Sequence, residues 1–125
     1  MTKPRALVTG ASRGIGAAIA KDLAVAGHPV IINYRENDVA AEAVKSTIED
    51  SGGVASLAKF DVGDHAATNE AIERLLAVDD NPIGVLVNNA GVSRDNVFGM
   101  MHCYCRKQVH QHWCWNVFPQ SWPDR

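Results

Sequence analysis

Residues 9–16 read Thr9-Gly10-Ala11-Ser12-Arg13-Gly14-Ile15-Gly16, and how they fold decides the rest of the chain. Glycines at 10, 14 and 16 let a backbone turn tightly and approach a ligand with no Cβ atoms in the way. Before them, Ala6-Leu7-Val8-Thr9 is a short apolar run ended by glycine, the pattern of a buried strand. After them, Ile15, Ile19 and Leu23 recur every four positions, which predicts a helix with these residues on its inner face. A glycine loop that feeds a helix offers free N–H groups and the positive end of the dipole, a seat for a pyrophosphate. Glycines also serve ordinary turns. The strand–loop–helix–strand setting is what makes this pattern a dinucleotide fingerprint.

Outward from the loop the chain keeps alternating. Gly27 supplies a left-handed stop with Pro29 just beyond, and Val30-Ile31-Ile32 reads as a second strand. Asp38 is expected to cap a second helix, with Ala40, Val44 and Ile48 inward and Gly52-Gly53 closing it. Residues 54–60 read as a third strand, bounded by Asp61 and Gly63. Asp64 starts a third helix facing inward through Ala67, Ala71 or Ile72, and Leu75, and Asp79 to Pro82 breaks it. Val85-Leu86-Val87 is a fourth strand, apolar on both faces as a central parallel strand should be. Strands alternating with helices predict a parallel sheet built by right-handed crossovers. The expected fold is α/β: the N-terminal half of a Rossmann-type doubly wound sheet, with about four strands and three helices. We expect this segment to occupy residues 1–101, followed by an atypical tail over 102–125.

Bulk composition agrees with one globular domain. The chain has 125 residues, of which 46% are hydrophobic and 21% charged, too apolar for a disordered chain. A net charge of -2 gives no reason to expect nucleic acid or an anionic membrane as partner. No apolar run approaches the ~20 residues of a bilayer span. The start, Thr2-Lys3-Pro4-Arg5 into Ala6-Leu7-Val8, lacks the pattern of a signal peptide. A cytoplasmic location with the cysteines reduced is the expectation.

The end of the second strand bears on which dinucleotide is held. An NAD site places an acidic residue there for the ribose 2′-OH. This chain has Asn33-Tyr34-Arg35, with Arg13 in the glycine loop. Two guanidiniums suit a 2′-phosphate, so NADP(H) is the expected cofactor. The alternative is a pair of solvated surface arginines.

Three segments together resemble the short-chain dehydrogenase/reductase family: TGASRGIG after the first strand, Asp61-Val62 after the third, and Asn88-Asn89-Ala90-Gly91 after the fourth. The wording VNNAGVSRDNVFGMM is similar to the 3-oxoacyl-[acyl-carrier-protein] reductase branch and its acetoacetyl-CoA reductase relatives, and the likeness covers residues 5 to about 101. The resemblance implies that Gly10, Ala11, Ser12, Arg13, Gly14, Ile15 and Gly16 hold the pyrophosphate and adenosine ribose. It implies Arg13 and Arg35 at the 2′-phosphate with Tyr34 beside Arg35, Asp61 and Val62 at the adenine, and Asn88, Ala90 and Gly91 along the path to the nicotinamide ribose. It further implies a small-molecule or acyl-carrier substrate, a place in fatty acid biosynthesis, and an oligomeric family. A cap or turn role for Asp61, and backbone-satisfying roles for Asn88 and Asn89, stand beside these readings.

The same resemblance calls for a tyrosine with a lysine four residues on, a serine and a helix asparagine. Tyr34 has Asp38 four residues on, and Tyr104 has Gln108 there, with Lys107 one position early. Tyr104 and Ser93 lie too near Asn88-Asn89 for the family's catalytic positions. Asn116 falls late for the helix asparagine, where Trp113 stands instead. No intact catalytic set is legible, and this chain by itself is not expected to catalyse.

The tail changes vocabulary. All three cysteines (103, 105, 114) and all three tryptophans (113, 115, 122) fall in it, and no acidic residue stands between Asp95 and Asp124. The expectation we favour is a change of reading frame near Met101, because out-of-frame sequence freely yields Cys, His and Trp without amphipathic period. A Cys/His metal site using Cys103, Cys105, His110, His112 and Cys114 lacks the usual knuckle spacings. An interaction tail anchored by tryptophans, and a segment packed on the sheet, are the other readings. A sheet ending at the fourth strand presents an apolar edge, so self-association is expected.

Overall fold

The structure is a computed structural model that describes residues 3–78 and 80–91. Ser93 and the tail, with Tyr104, Lys107, Trp113, Asn116 and the Cys/His residues, lie outside the described residues. Four strands alternate with three helices, as the pattern predicted: β1 (Arg5–Val8), α1 (Gly14–Val25), β2 (Val30–Tyr34), α2 (Asp38–Asp50), β3 (Ala55–Lys59), α3 (His65–Leu76) and β4 (Ile83–Val87). The strands form one parallel sheet in the order β3-β2-β1-β4. This is the N-terminal half of a Rossmann-type sheet.

Burial follows position in the sheet. All five residues of β2 are buried between its two neighbours, and Val8, Val30 and Ile32 join Val44 and Ile48 of α2 in the core. Helix α1 turns a small-residue face inward: Gly16, Ala17, Ala20 and Ala24 are buried, with Ile19 and Leu23 packed at the margin. Ile15 is 73% exposed, which corrects the expected stripe. A helix starting in a glycine loop lies close to the strands, and only small side chains fit beneath it.

In α2 the buried residues are Ala41, Val44 and Ile48, so Ala41 takes the inward place expected of Ala40. The cap also moves by one. Asn37, not Asp38, is the N-cap, and its Oδ1 accepts from the N–H of Ala40 at 3.0 Å. Helix α3 is capped by Asp64 as expected, and Ala67, Thr68, Ala71, Ile72 and Leu75 are its partly covered residues.

The far end of α3 is held by β1. The Arg5 guanidinium donates to the carbonyls of Leu75 at 2.7 Å and Val78 at 3.4 Å, and its Nε to that of Asn81. A cation on the last carbonyls of a helix satisfies orphan acceptors and complements the dipole. Among the described residues β4 pairs only with β1, and Leu86 is 58% exposed.

Candidate functional site

In a parallel sheet every strand ends on the same side, so the loops after β1, β2, β3 and β4 converge. Contacts to the residues that end β2 and follow β4 fix the glycine loop. The Ala11 N–H donates to the Asn33 carbonyl at 2.9 Å, and the Gly10 N–H to Asn33 Oδ1 at 3.3 Å. The buried Asn33 amide also donates to the carbonyls of Ala58 at 3.2 Å and Phe60 at 3.0 Å, tying the ends of β2 and β3 together. The second set is to the residues after β4. Thr9 Oγ1 accepts the N–H groups of Asn89 and Ala90, each at 3.0 Å, while the Asn89 amide donates to the carbonyls of Thr9 and Gly10 at 3.3 and 3.2 Å.

The glycines divide by function. A Cβ on Gly16 would lie 2.3 Å from the Gly10 oxygen and 2.5 Å from Asn89 Nδ2, so this position excludes any side chain. Gly10 has φ +62 and would press on the Ala90 backbone at 2.9 Å. Gly14 is different: its φ is +58, yet a Cβ there would meet nothing within 4 Å. Two glycines close the loop against the protein, and the third faces open space.

The start of α1 carries no anion of its own. Arg13 occupies the N-cap position with an extended backbone and makes no side-chain cap, and the first turn holds no acidic residue. The first helical bond runs from the Ala17 N–H to the Arg13 carbonyl at 3.2 Å, so the N–H groups of Gly14, Ile15 and Gly16 precede it. In α2 and α3, by contrast, Asn37 and Asp64 fill this role. The loop of Gly10, Ala11, Ser12, Arg13, Gly14, Ile15 and Gly16 therefore fits a pyrophosphate by bare backbone, open space and dipole. An open groove between α1 and α2 is lined by Ser12, Arg13 and Gly14 of this loop together with Lys21, Val44 and Thr47.

The turn after β2 concentrates charge. Tyr34 is buried along its ring and donates its hydroxyl to Asp38 Oδ1 at 2.7 Å. Lys59, at the end of β3, donates to both Asp38 oxygens at 3.0 Å and stands 6.0 Å from the Tyr34 ring centre. The hydrogen bond from Tyr34, then that from Lys59, holds the Asp38 carboxyl below its ordinary pKa. The same bond to Asp38, followed by burial, pushes the Tyr34 phenol up. Arg35 is exposed, and its Nη2 lies 3.1 Å from Glu36 Oε1.

Asp61 follows β3, which the Phe60 N–H ties to the Tyr34 carbonyl at 3.1 Å. Its Oδ1 accepts from the Gly63 N–H at 2.8 Å, the geometry of a turn residue, and Val62 beside it is half-buried. Asn88 is exposed after β4, Ala90 is half-buried, and Gly91 is exposed. The structure thus gathers the glycine loop, Ala90 and the β2 end at one edge, and sets Asp61 at the adjoining strand end. Three contributors went unread in the sequence: Thr9, Asn33 and Lys59. A buried asparagine closing an apolar strand is the one signal that pointed to Asn33.

Comparison with known proteins agrees with this geometry. The short chain dehydrogenase family model matches residues 4–121. The acetoacetyl-CoA reductase of Rhizobium meliloti is 46% identical over 96 residues, which is 77% of this chain and 37% of that protein. The 3-oxoacyl-[acyl-carrier-protein] reductase of Synechocystis is 42% identical over 97 residues, 78% of this chain and 39% of that one. The crystal structure of a 3-oxoacyl (acyl-carrier-protein) reductase from Agrobacterium tumefaciens with NADP bound superposes with a TM-score of 0.72 at 37% identity. It covers 83% of this chain and 40% of that one. The chain spans about two fifths of the length of these relatives. With its glycine loop, parallel strand order and family match in agreement, the chain belongs to the short-chain dehydrogenase family.

Proposed function

We propose that residues 5–91 are the NADP(H)-binding half of a reductase acting on 3-oxoacyl thioesters. The observation that carries the reading is the glycine loop, locked by Thr9, Asn33 and Asn89 while the start of α1 stays open. The pyrophosphate would rest on the N–H groups of Gly14, Ile15 and Gly16. Arg13 and Arg35 would meet the 2′-phosphate beside Tyr34, Asp61 and Val62 would adjoin the adenine, and Asn88, Ala90 and Gly91 would border the nicotinamide ribose. A bound NADPH would supply the hydride for a ketone. The NADP held by the Agrobacterium relative supports the cofactor, and the names of the two curated relatives support the substrate class.

Turnover also needs an acid for the ketone oxygen. None of the 125 residues is a tyrosine with a lysine four positions on, which supports a second reading: a nucleotide-binding chain that does not catalyse by itself. The outer position of β4 supports self-association of this chain. No helix among the described residues is long and apolar enough to cross a membrane, and a cytoplasmic location remains part of the proposal. NADPH fluorescence titration, run beside an acetoacetyl-CoA reduction assay, tests both readings. Binding without turnover supports the cofactor-binding half alone, binding with turnover supports the complete reductase, and absence of binding removes both.

A further inference from the structure

We propose that Glu36 is a specificity-determining residue whose carboxylate competes with a 2′-phosphate for Arg35, narrowing the preference for NADPH over NADH. The inference rests on the cofactor reading above. Its starting point is geometric. Asn33 anchors the glycine loop through both its carbonyl and its side chain, so the end of β2 is fixed against the phosphate seat. Arg35 lies two residues beyond that anchor, where the adenosine end of a dinucleotide belongs in this fold.

Arg35 is not idle there. Its Nε and Nη2 both address Glu36 Oε1, at 3.3 and 3.1 Å. A phosphate must displace that carboxylate to take the guanidinium, and the released Glu36 then stands beside a second anion. The other carboxylate of the turn behaves differently. Asp38 is engaged by the Tyr34 hydroxyl and by two bonds from Lys59, which cancels its charge. Glu36 has Arg35 as its only side-chain partner among the described residues. Lys59 therefore silences Asp38, and Glu36 is left to oppose Arg35. A plain ribose reverses the balance, because a carboxylate at the end of this strand is a natural acceptor for a 2′-OH.

Both side chains are largely exposed, 57% and 77%, so the effect is modest. Titration of the 125-residue chain with NADPH and with NADH, following nicotinamide fluorescence, tests it. Glu36→Gln is expected to tighten NADPH roughly twofold to fivefold while NADH stays unchanged or weakens. The gain should vanish in an Arg35→Gln background and shrink at high salt. A wild type that binds NADPH, with an unchanged NADPH-to-NADH ratio in Glu36→Gln, overturns this inference and leaves the cofactor reading standing. An equal gain without Arg35 does the same. A wild type that binds neither dinucleotide overturns both.

Discussion

Thr9 and Asn89 stand 80 residues apart in sequence, and Asn89 donates to Thr9 twice. The Thr9 hydroxyl accepts from the Asn89 backbone at 3.0 Å, and the Asn89 amide donates to the Thr9 carbonyl at 3.3 Å. The loop after β1 and the loop after β4 are thereby one unit. Thr9→Val removes the acceptor of two N–H groups and is expected to cost about 1–3 kcal/mol per donor left unmet. Thr9→Ser keeps the hydroxyl and should stay near wild type. Urea denaturation of the three proteins checks the ordering.

The glycine loop predicts opposite outcomes for two like substitutions. Gly16→Ala forces a methyl into the Gly10 carbonyl and the Asn89 amide, so the loop must open and NADPH affinity should fall at least tenfold, roughly 1.4 kcal/mol. Gly14→Ala meets no atom and pays only the left-handed backbone, a cost of about 1 kcal/mol in stability. Parallel thermal melts and NADPH titrations separate them. Equal losses of binding would show that the loop does not close against Asn89.

Arg5 predicts a local effect. Arg5→Met retains an apolar stem and deletes the donors to Leu75, Val78 and Asn81. A loss of about 1–2 kcal/mol is expected, with faster hydrogen exchange in the last turn of α3 than in α2.

Acid pH should loosen the junction of β2 and α2. Asp38 titrates below its ordinary 3.8 in the fold, because Tyr34 and Lys59 bind its charged form. A depressed carboxylate pKa contributes stability that is present above the unfolded value and is lost as pH falls through the folded one. The raised Tyr34 pKa acts at the other end: its contribution holds below the ordinary 10.0 and is lost as pH rises through the folded value. Tyr34→Phe removes the largest cause of both shifts. Its urea midpoint should therefore fall less steeply than wild type below pH 4, so the gap between the two proteins is widest near neutrality and narrows in acid.

Much of this fold was legible because the chain repeats one motif of local signals. The strands showed as short apolar or alternating runs, Gly27 and Asp64 punctuated the helices where expected, and the glycine loop marked the turn from β1 into α1. What misled was α1, where the stripe Ile15, Ile19, Leu23 competes with Gly16, Ala17, Ala20, Ala24 at the same spacing. Hydrophobicity favours the first, but close approach to the sheet selects the second, and no local rule weighs the two. The Asn37 cap was missed because Asp38 is an equally good capping residue one position later. Arg5, Thr9 and Lys59 act through contacts 21 to 80 residues away, which depend on strand order rather than on neighbours in sequence.

The most direct measurement is equilibrium binding of NADPH to the purified 125-residue chain, followed by the blue shift and gain of nicotinamide fluorescence. Saturable binding that is weakened at least tenfold in Gly16→Ala and also weakened in Arg35→Gln is the predicted result. A chain that is folded by circular dichroism yet leaves the fluorescence of NADPH unchanged would contradict it.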